Sequence, residues 1–180
     1  MRRVSFSNEG IDIAALALHH SDVENSLRSY FSSTAASYAT RFTGYTNSEV
    51  ELELDERLAE LDMTSSLTIL SAIEAVFRID YLQRCYRKEK DPLSRAFRDL
   101  NKRRGSKVSL EDEILGRWKM HTDGGSELIG DLRGAFKYRH WLAHGRYWNP
   151  KFGKKYDFVS LYALASATLT YFPLLRLDPS

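Results

Sequence analysis

The sequence predicts an all-α fold, an antiparallel bundle of about five to seven helices in one domain spanning 1–180. Three observations carry that prediction. Apolar residues recur at three- and four-residue steps over most of the chain, the signature of helices with one buried stripe. Cap residues punctuate those stretches. No internal repeat, low-complexity tract or linker divides the chain, and 180 residues at 43% hydrophobic suffice for one sizeable core.

Residues 1–10 read as an irregular arm. A short helix is expected over 11–18, broken at His19-His20-Ser21. A second runs from Ser21 or Asp22 to about Ala39, with Val23, Leu27, Tyr30, Phe31 and Tyr38 on its apolar side. Its Ser/Thr/Ala-rich second half is a poor helix former, and 43–47 is a loop. Ser48 and Glu51 have capping-box spacing and open an acidic helix to about Leu61, although Glu51-Leu52-Glu53-Leu54 also alternates like a strand. Asp62 or Thr64 then caps a long central helix to about Lys88, striped by Leu67, Leu70, Ile73, Phe77 and Tyr81. Asp91-Pro92 restarts the chain with an N-cap and a proline at the first helical position. Ser109, with Asp112 three residues on, starts a helix carrying Leu110, Ile114, Leu115 and Trp118. Asp123-Gly124-Gly125 breaks the chain before a helix that Ser126 caps and Gly145 ends in the left-handed conformation. A basic, aromatic loop follows, and Asp157 caps a last apolar helix from Val159 to Phe172, stopped by Pro173.

The net charge of +2 conceals a division. Residues 1–83 carry 6 basic and 13 acidic side chains, residues 84–107 carry 10 basic and 3 acidic, and residues 108–180 carry 10 and 8. The basic block, which includes Arg103 and Arg104, suits a phosphate backbone. It equally suits a solvated helix face paired with the acidic first third. One cysteine, Cys85, leaves no intramolecular disulfide and no cysteine-rich zinc site. The first residues lack the apolar core of a signal peptide, and the apolar run Ile13 to Leu18 is far too short to span a bilayer. A cytoplasmic, reducing home with no membrane contact is the expectation.

The chemistry concentrates in 134–148, Gly-Ala-Phe-Lys-Tyr-Arg-His-Trp-Leu-Ala-His-Gly-Arg-Tyr-Trp. On a helix His140 and His144 lie about 40° apart, whereas Arg139 and His144 lie about 140° apart. One regular helix therefore does not aim Arg139 and His144 at one atom. They meet either where the helix unwinds or across a two-fold axis. The string Tyr-Arg-His-x-x-Ala-His-Gly, near the end of a late helix, resembles the signature of the HEPN superfamily. The resemblance implies a metal-independent endoribonuclease, without cofactor or metal, acting on RNA as a homodimer with a composite active site. Arg139 and His144 are then the catalytic pair, with His140 and Glu74 their supports. From charge and aromatic character, Arg146, Tyr147 and Lys151 of the loop and Arg103 and Arg104 of the basic block are expected to hold RNA, with core or interface packing the other use of the aromatics. Small stand-alone nucleases of this kind often act as toxins or in defence against phage, which implies an antitoxin or other regulatory partner. Family toxins with a modified tyrosine end His-x-Tyr; here His144-Gly145-Arg146-Tyr147 is one residue longer.

Residue chemistry runs parallel to the resemblance. Histidine gives or takes a proton near neutral pH, and arginine matches phosphate oxygens with fixed charge. A histidine beside a helix-ending glycine also suits a purely structural role on the last carbonyls. Glu74 has two expected partners, Arg139 or His140 across the bundle and Arg78 one turn on; Asp80 is a weaker candidate. A non-catalytic bundle of the same build that binds RNA, nucleotide or protein is the alternative function. His19 and His20, on different helix faces, make a poor metal pair, and no Ser-His-Asp or paired-Cys arrangement occurs.

Overall fold

The structure is a computed structural model that describes residues 4–7, 9–105 and 107–177. It is all-helical over those residues, with no strand among them. The helices are α1 (Ile13–Tyr30), a one-turn α2 (Tyr38–Arg41), α3 (Asn47–Arg87), α4 (Pro92–Arg104), α5 (Leu115–His121, entered through a π-type turn at Leu110–Ile114), α6 (Ser126–Ala143) and α7 (Phe158–Tyr171). Of the arm expected over 1–10, residues 4–7, 9 and 10 carry no regular structure, while 1–3 and 8 lie outside the described residues.

Four boundaries differ from expectation, some for local reasons and some because a distant element claims the side chain. The 11–18 and 21–39 helices are one helix, α1, that ends at Tyr30. No break occurs at 19–21, because the His20 ring stacks on Phe158 at 4.1 Å and its Nδ1 lies 2.9 Å from Ser65 Oγ, so this turn is packed inward. Beyond Tyr30 the Ser32 hydroxyl bonds Thr34, both its Oγ1 at 2.8 Å and its N–H at 3.3 Å, a local alternative to the helix ladder. The two helices expected over 48–61 and 62–88 are likewise one helix, α3, of 41 residues. Its cap is Thr46, which forms a capping box with Glu49 two residues before the expected pair. Asp62 caps the wrong helix, so to speak: its Oδ1 accepts the Phe158 N–H at the start of α7, 2.9 Å away. The Thr64 hydroxyl donates back to Glu60 O at 2.9 Å. Both cap-forming side chains are thus satisfied without interrupting α3.

Elsewhere the punctuation matches. Asp91 caps α4 with Pro92 at its first position, Ser109 accepts from the Asp112 N–H, and Asp157 caps α7. At α6 it does not: Ser126, the expected cap, is the first helical residue, and Gly125 in the cap position has no side chain to cap with. The chain passes close to α7's end at Gly124 and Gly125, where a Cβ would lie 2.9 Å from the Tyr171 hydroxyl and 3.2 Å from the Phe172 ring.

α3 is the central element and packs against α1, α4, α6 and α7. Its stripe of Ile69, Leu70, Ile73, Phe77 and Tyr81 is fully buried among Phe97, Ile114, Leu115, Trp118, Ile129, Leu132 and Leu161. One ionic group sits inside this core. Asp80 is 0% exposed and accepts from Arg84 Nε at 2.8 Å and from the Leu175 N–H at 2.9 Å. Arg84, 8% exposed, also donates to Ser94 Oγ at 3.3 Å, to Asp91 Oδ2 at 3.5 Å and to Pro173 O at 2.8 Å, with its guanidinium 5.1 Å from the Trp118 ring centre. Burial pushes the Asp80 carboxyl up from its ordinary range, opposed by the Leu175 N–H and Arg84. Asp80 therefore belongs to the scaffold and has no part in the chemistry expected near Glu74.

Removing one partner strands a buried charge. Asp80→Ala or Arg84→Ala should each lower stability by about 3–5 kcal/mol, read by urea unfolding. A loss below about 1 kcal/mol for both, as for an exposed pair, would contradict the assignment.

The Asp157 cap gives a pH signature. The Ser160 N–H, 2.8 Å from Oδ1, and the Ser160 hydroxyl hold this carboxyl below the usual aspartate range. A depressed native pKa adds stability that is present above the unfolded value of about 3.9 and is lost as pH falls through the native value. The Tm gap between wild type and Asp157→Asn should therefore be largest above about pH 4 and close below it. A gap that widens on acidification would show the sign to be wrong.

Candidate functional site

The last two turns of α6 present different side chains to different neighbours. The buried stripe Leu132, Ala135, Phe136 and Leu142 fixes the rotation of the helix, and that rotation points Arg139 at α3. Its Nη2 lies 2.9 Å from Glu74 Oε2 and its Nε donates to Ser71 Oγ at 3.3 Å. Glu74 receives Arg78 on its other oxygen at 2.7 Å, and Arg78 in turn donates to Val108 O at 3.2 Å. Both expected partners of Glu74, Arg139 and Arg78, are thus present together; His140 is not one of them. Two guanidiniums share one carboxylate, so the cluster keeps one net positive charge. With about a third of its side chain exposed, Arg139 remains open to an anion.

His140 and His144 face outward on the adjoining face, and both are exposed. Their rings lie 4.2 Å apart, tilted by 52°. α6 does not unwind here. It closes in a Schellman arrangement, the Arg146 N–H on Trp141 O at 3.1 Å and the Gly145 N–H on Leu142 O at 3.4 Å, with Gly145 at φ +79° as expected for a left-handed cap. With the helix regular through Ala143, Arg139 and His144 diverge by about 140° within one chain. Two pairs are brought together, Arg139 with Glu74 and His140 with His144, and the pairs look different ways.

The loop after α6 builds a cleft beside His140. Tyr138 stacks on Trp141 and Tyr156 at 5.8 and 5.3 Å, and Phe152 packs edge-on against Tyr138, Trp141 and Tyr156. Gly134 makes room for this box, since a Cβ there would lie 2.5 Å from the Tyr156 hydroxyl. The Trp141 indole N–H donates to Trp148 O at 2.8 Å, which sets Trp148 5.9 Å from His140. The result is a cleft of about 440 Å³ lined by Glu111, Lys137, His140, Trp148, Lys151 and Phe152. Lys137 was not anticipated. It lies three residues before His140 and seven before His144, on the same face, a spacing that helical periodicity alone makes visible.

The residues expected to hold RNA divide. Lys151 lines the cleft, and Tyr147 stands 83% exposed beside Trp148, with ring centres 4.7 Å apart. Arg146, at φ +59°, turns instead to Glu60 at 2.7 Å and ties the loop to α3. Arg103 and Arg104 are at the far end of α4, where Arg103 donates to Asp99 O at 3.3 Å and Arg104 pairs with Glu113 at 3.1 Å. Their partners, Asp99 and Glu113, lie on α4 and in the turn before α5, not on α6. No group of three or more His, Cys, Asp or Glu that could hold a metal ion occurs among the described residues. Nor is any helix there long and apolar enough to cross a membrane. Neither a protein-family model nor a curated protein nor a solved structure matches the chain.

Trp141→Phe keeps the aromatic box and removes only the bond to Trp148 O. Amide exchange over 145–152 should then rise by about tenfold, the worth of one such hydrogen bond, with α3 and α6 unchanged. Unaltered exchange in the loop would mean that this bond does not hold it.

Proposed function

We propose that the protein is a metal-independent endoribonuclease that cuts single-stranded RNA to 2′,3′-cyclic phosphate and 5′-hydroxyl ends, with a site completed by a second copy of the chain. The observation that carries this is the exposed His140–His144 pair beside a cleft with two lysines and a tryptophan, next to an arginine held in place by Glu74. The resemblance of Arg139 to Gly145 to the HEPN signature points the same way.

In the reaction, a neutral histidine takes the proton from the ribose 2′-OH, and the 2′-oxygen attacks phosphorus. A protonated histidine gives its proton to the 5′-oxygen as the phosphorus–oxygen bond breaks. Arg139 offsets the charge that builds on the non-bridging oxygens. Attack and departure occur on opposite sides of phosphorus, so the base and the acid must stand on opposite sides too. Two imidazoles 4.2 Å apart on one helix face occupy one side. A second α6 end facing the first supplies the other, and it also relieves the divergence of Arg139 and His144. Trp148 and Tyr147 offer faces for base stacking, with Lys137 and Lys151 for phosphates. By the resemblance, the setting is a toxin or phage-defence effector with a neutralising partner.

A second reading has its own observation. Arg139 is engaged by Glu74 and Ser71, and Arg146 by Glu60, as in a bundle whose arginines serve the scaffold. On that reading the protein binds RNA without cutting it.

The test is cleavage of defined single-stranded RNA in excess EDTA, with analysis of product ends. Arg139→Ala and His144→Ala should each reduce cleavage by about 10²–10⁴-fold. A refolded one-to-one mixture of the two inactive variants should recover activity that neither has alone, because only a mixed dimer sets Arg139 of one copy beside His144 of the other. Cleavage that survives both substitutions removes the assignment, and cleavage without recovery in the mixture removes the shared site.

A further inference from the structure

A second concave site lies away from α6, where the C-terminal turn of α3 meets α4. Arg95, Arg98 and Lys102 recur at three- and four-residue steps and so share one face of α4. That face looks onto Lys88, the left-handed cap of α3 at φ +55°, and onto Lys90 in the following turn. Between them is an open pocket of about 820 Å³, with Cys85 and Asn101 as its wall. Five cations line it and no carboxylate does.

This placement is not explained by the scaffold. The basic residues that serve the fold are committed elsewhere: Arg84 is buried on Asp80, and Arg104 is on Glu113. Arg98 is held by a backbone carbonyl, that of Glu89, which fixes its direction without neutralising it. Among the described residues Lys102 has only the exposed Asp99 at 3.3 Å. Cations in the last turn of a helix offset its dipole, as Lys88 and Lys102 do. Arg95 does the opposite. It stands at the fourth position of α4, near the positive end, in a helix whose first turn has no acidic residue. The wall adds no negative charge, since burial pushes the Cys85 thiol up to about 11 and the Asn101 amide donates to the Tyr81 hydroxyl at 2.9 Å. Like charges gathered around a concave space repel one another and gain most from a compact ligand of high negative charge. The volume is that of a nucleotide-sized ligand site.

We infer that this α3–α4 pocket binds phosphate groups at close spacing, those of a nucleoside polyphosphate or of successive nucleotides in a strand. Lys88 is 14 residues beyond Glu74 on the same helix, about 21 Å along its axis. The pocket is therefore separate from the α6 end, and its occupancy does not depend on any cleavage there.

Isothermal titration with inorganic tripolyphosphate and with an uncleavable 2′-O-methyl RNA 12-mer tests this on the full chain. The variants are Lys90→Glu and Arg95→Glu, both exposed, with Lys119→Glu as a charge-matched control outside the pocket. Each pocket variant should weaken binding by about tenfold or more, with melting temperature held, while Lys119→Glu binds as wild type. Loss of tripolyphosphate alone assigns the pocket to a free polyphosphate, and loss that extends to the 12-mer assigns it to strand phosphates. No binding of either probe, or an equal loss in Lys119→Glu, overturns the inference. A protein that fails to cut RNA yet shows the pocket-specific loss keeps this site and discards only the nuclease.

Discussion

The buried Asp80–Arg84 pair is the interaction on which the rest of the structure depends. α3 supplies both residues, one turn apart, and through them it holds the start of α4 at Asp91 and Ser94, the ring of Trp118 on α5, and the chain after α7 at Pro173 and Leu175. Apolar packing alone is indifferent to small rotations of one helix on another. Directional bonds to a fixed guanidinium are not, and a buried charge cannot be left without them. The pair thereby sets where α4 and the C-terminal segment lie on α3.

α3 then acts as a ruler. Two residues before Asp80 it carries Arg78, and one and two turns before that Glu74 and Ser71, which hold Arg139 of α6. Earlier still, Asp62 takes the first N–H of α7 and Glu60 takes Arg146. At its other end Lys88 forms part of the basic pocket. The acidic side chains of one helix thus serve as anchor points for elements that come later in the chain. This is where much of the negative charge of the first third is used.

The division within α6 follows from burial. Its stripe of Leu132, Ala135, Phe136 and Leu142 must face the core, which leaves Arg139 against α3 and the two histidines in solvent. The Tyr138, Trp141, Phe152 and Tyr156 box folds the next loop back on the helix and brings Lys151 and Trp148 to His140. A nuclease reading and a binding reading differ in whether Arg139, held by Glu74 and Ser71, acts on a phosphate or serves the scaffold alone.

The sequence by itself determined the helical class, the length of α6, and the caps at Asp91, Ser109, Asp157 and Gly145, because each rests on bonds within four residues. It also named Arg139, His140, His144 and Glu74, which the structure divides into two pairs, Arg139 with Glu74 and His140 with His144. Only the tertiary structure decided what a residue's side chain is used for. Asp62 and Thr64 read as caps of their own helix, yet one serves α7 and the other bonds its own helix. Thr46–Glu49 and Ser48–Glu51 offer the same capping spacing, and the choice between them is not written locally. Arg84 counts with the basic block in composition but lies in the core, while Arg95 and Lys90 face a pocket. Local propensity specifies where a helix can start; which partner satisfies a polar side chain is set by elements dozens of residues away, whose arrival no local pattern encodes.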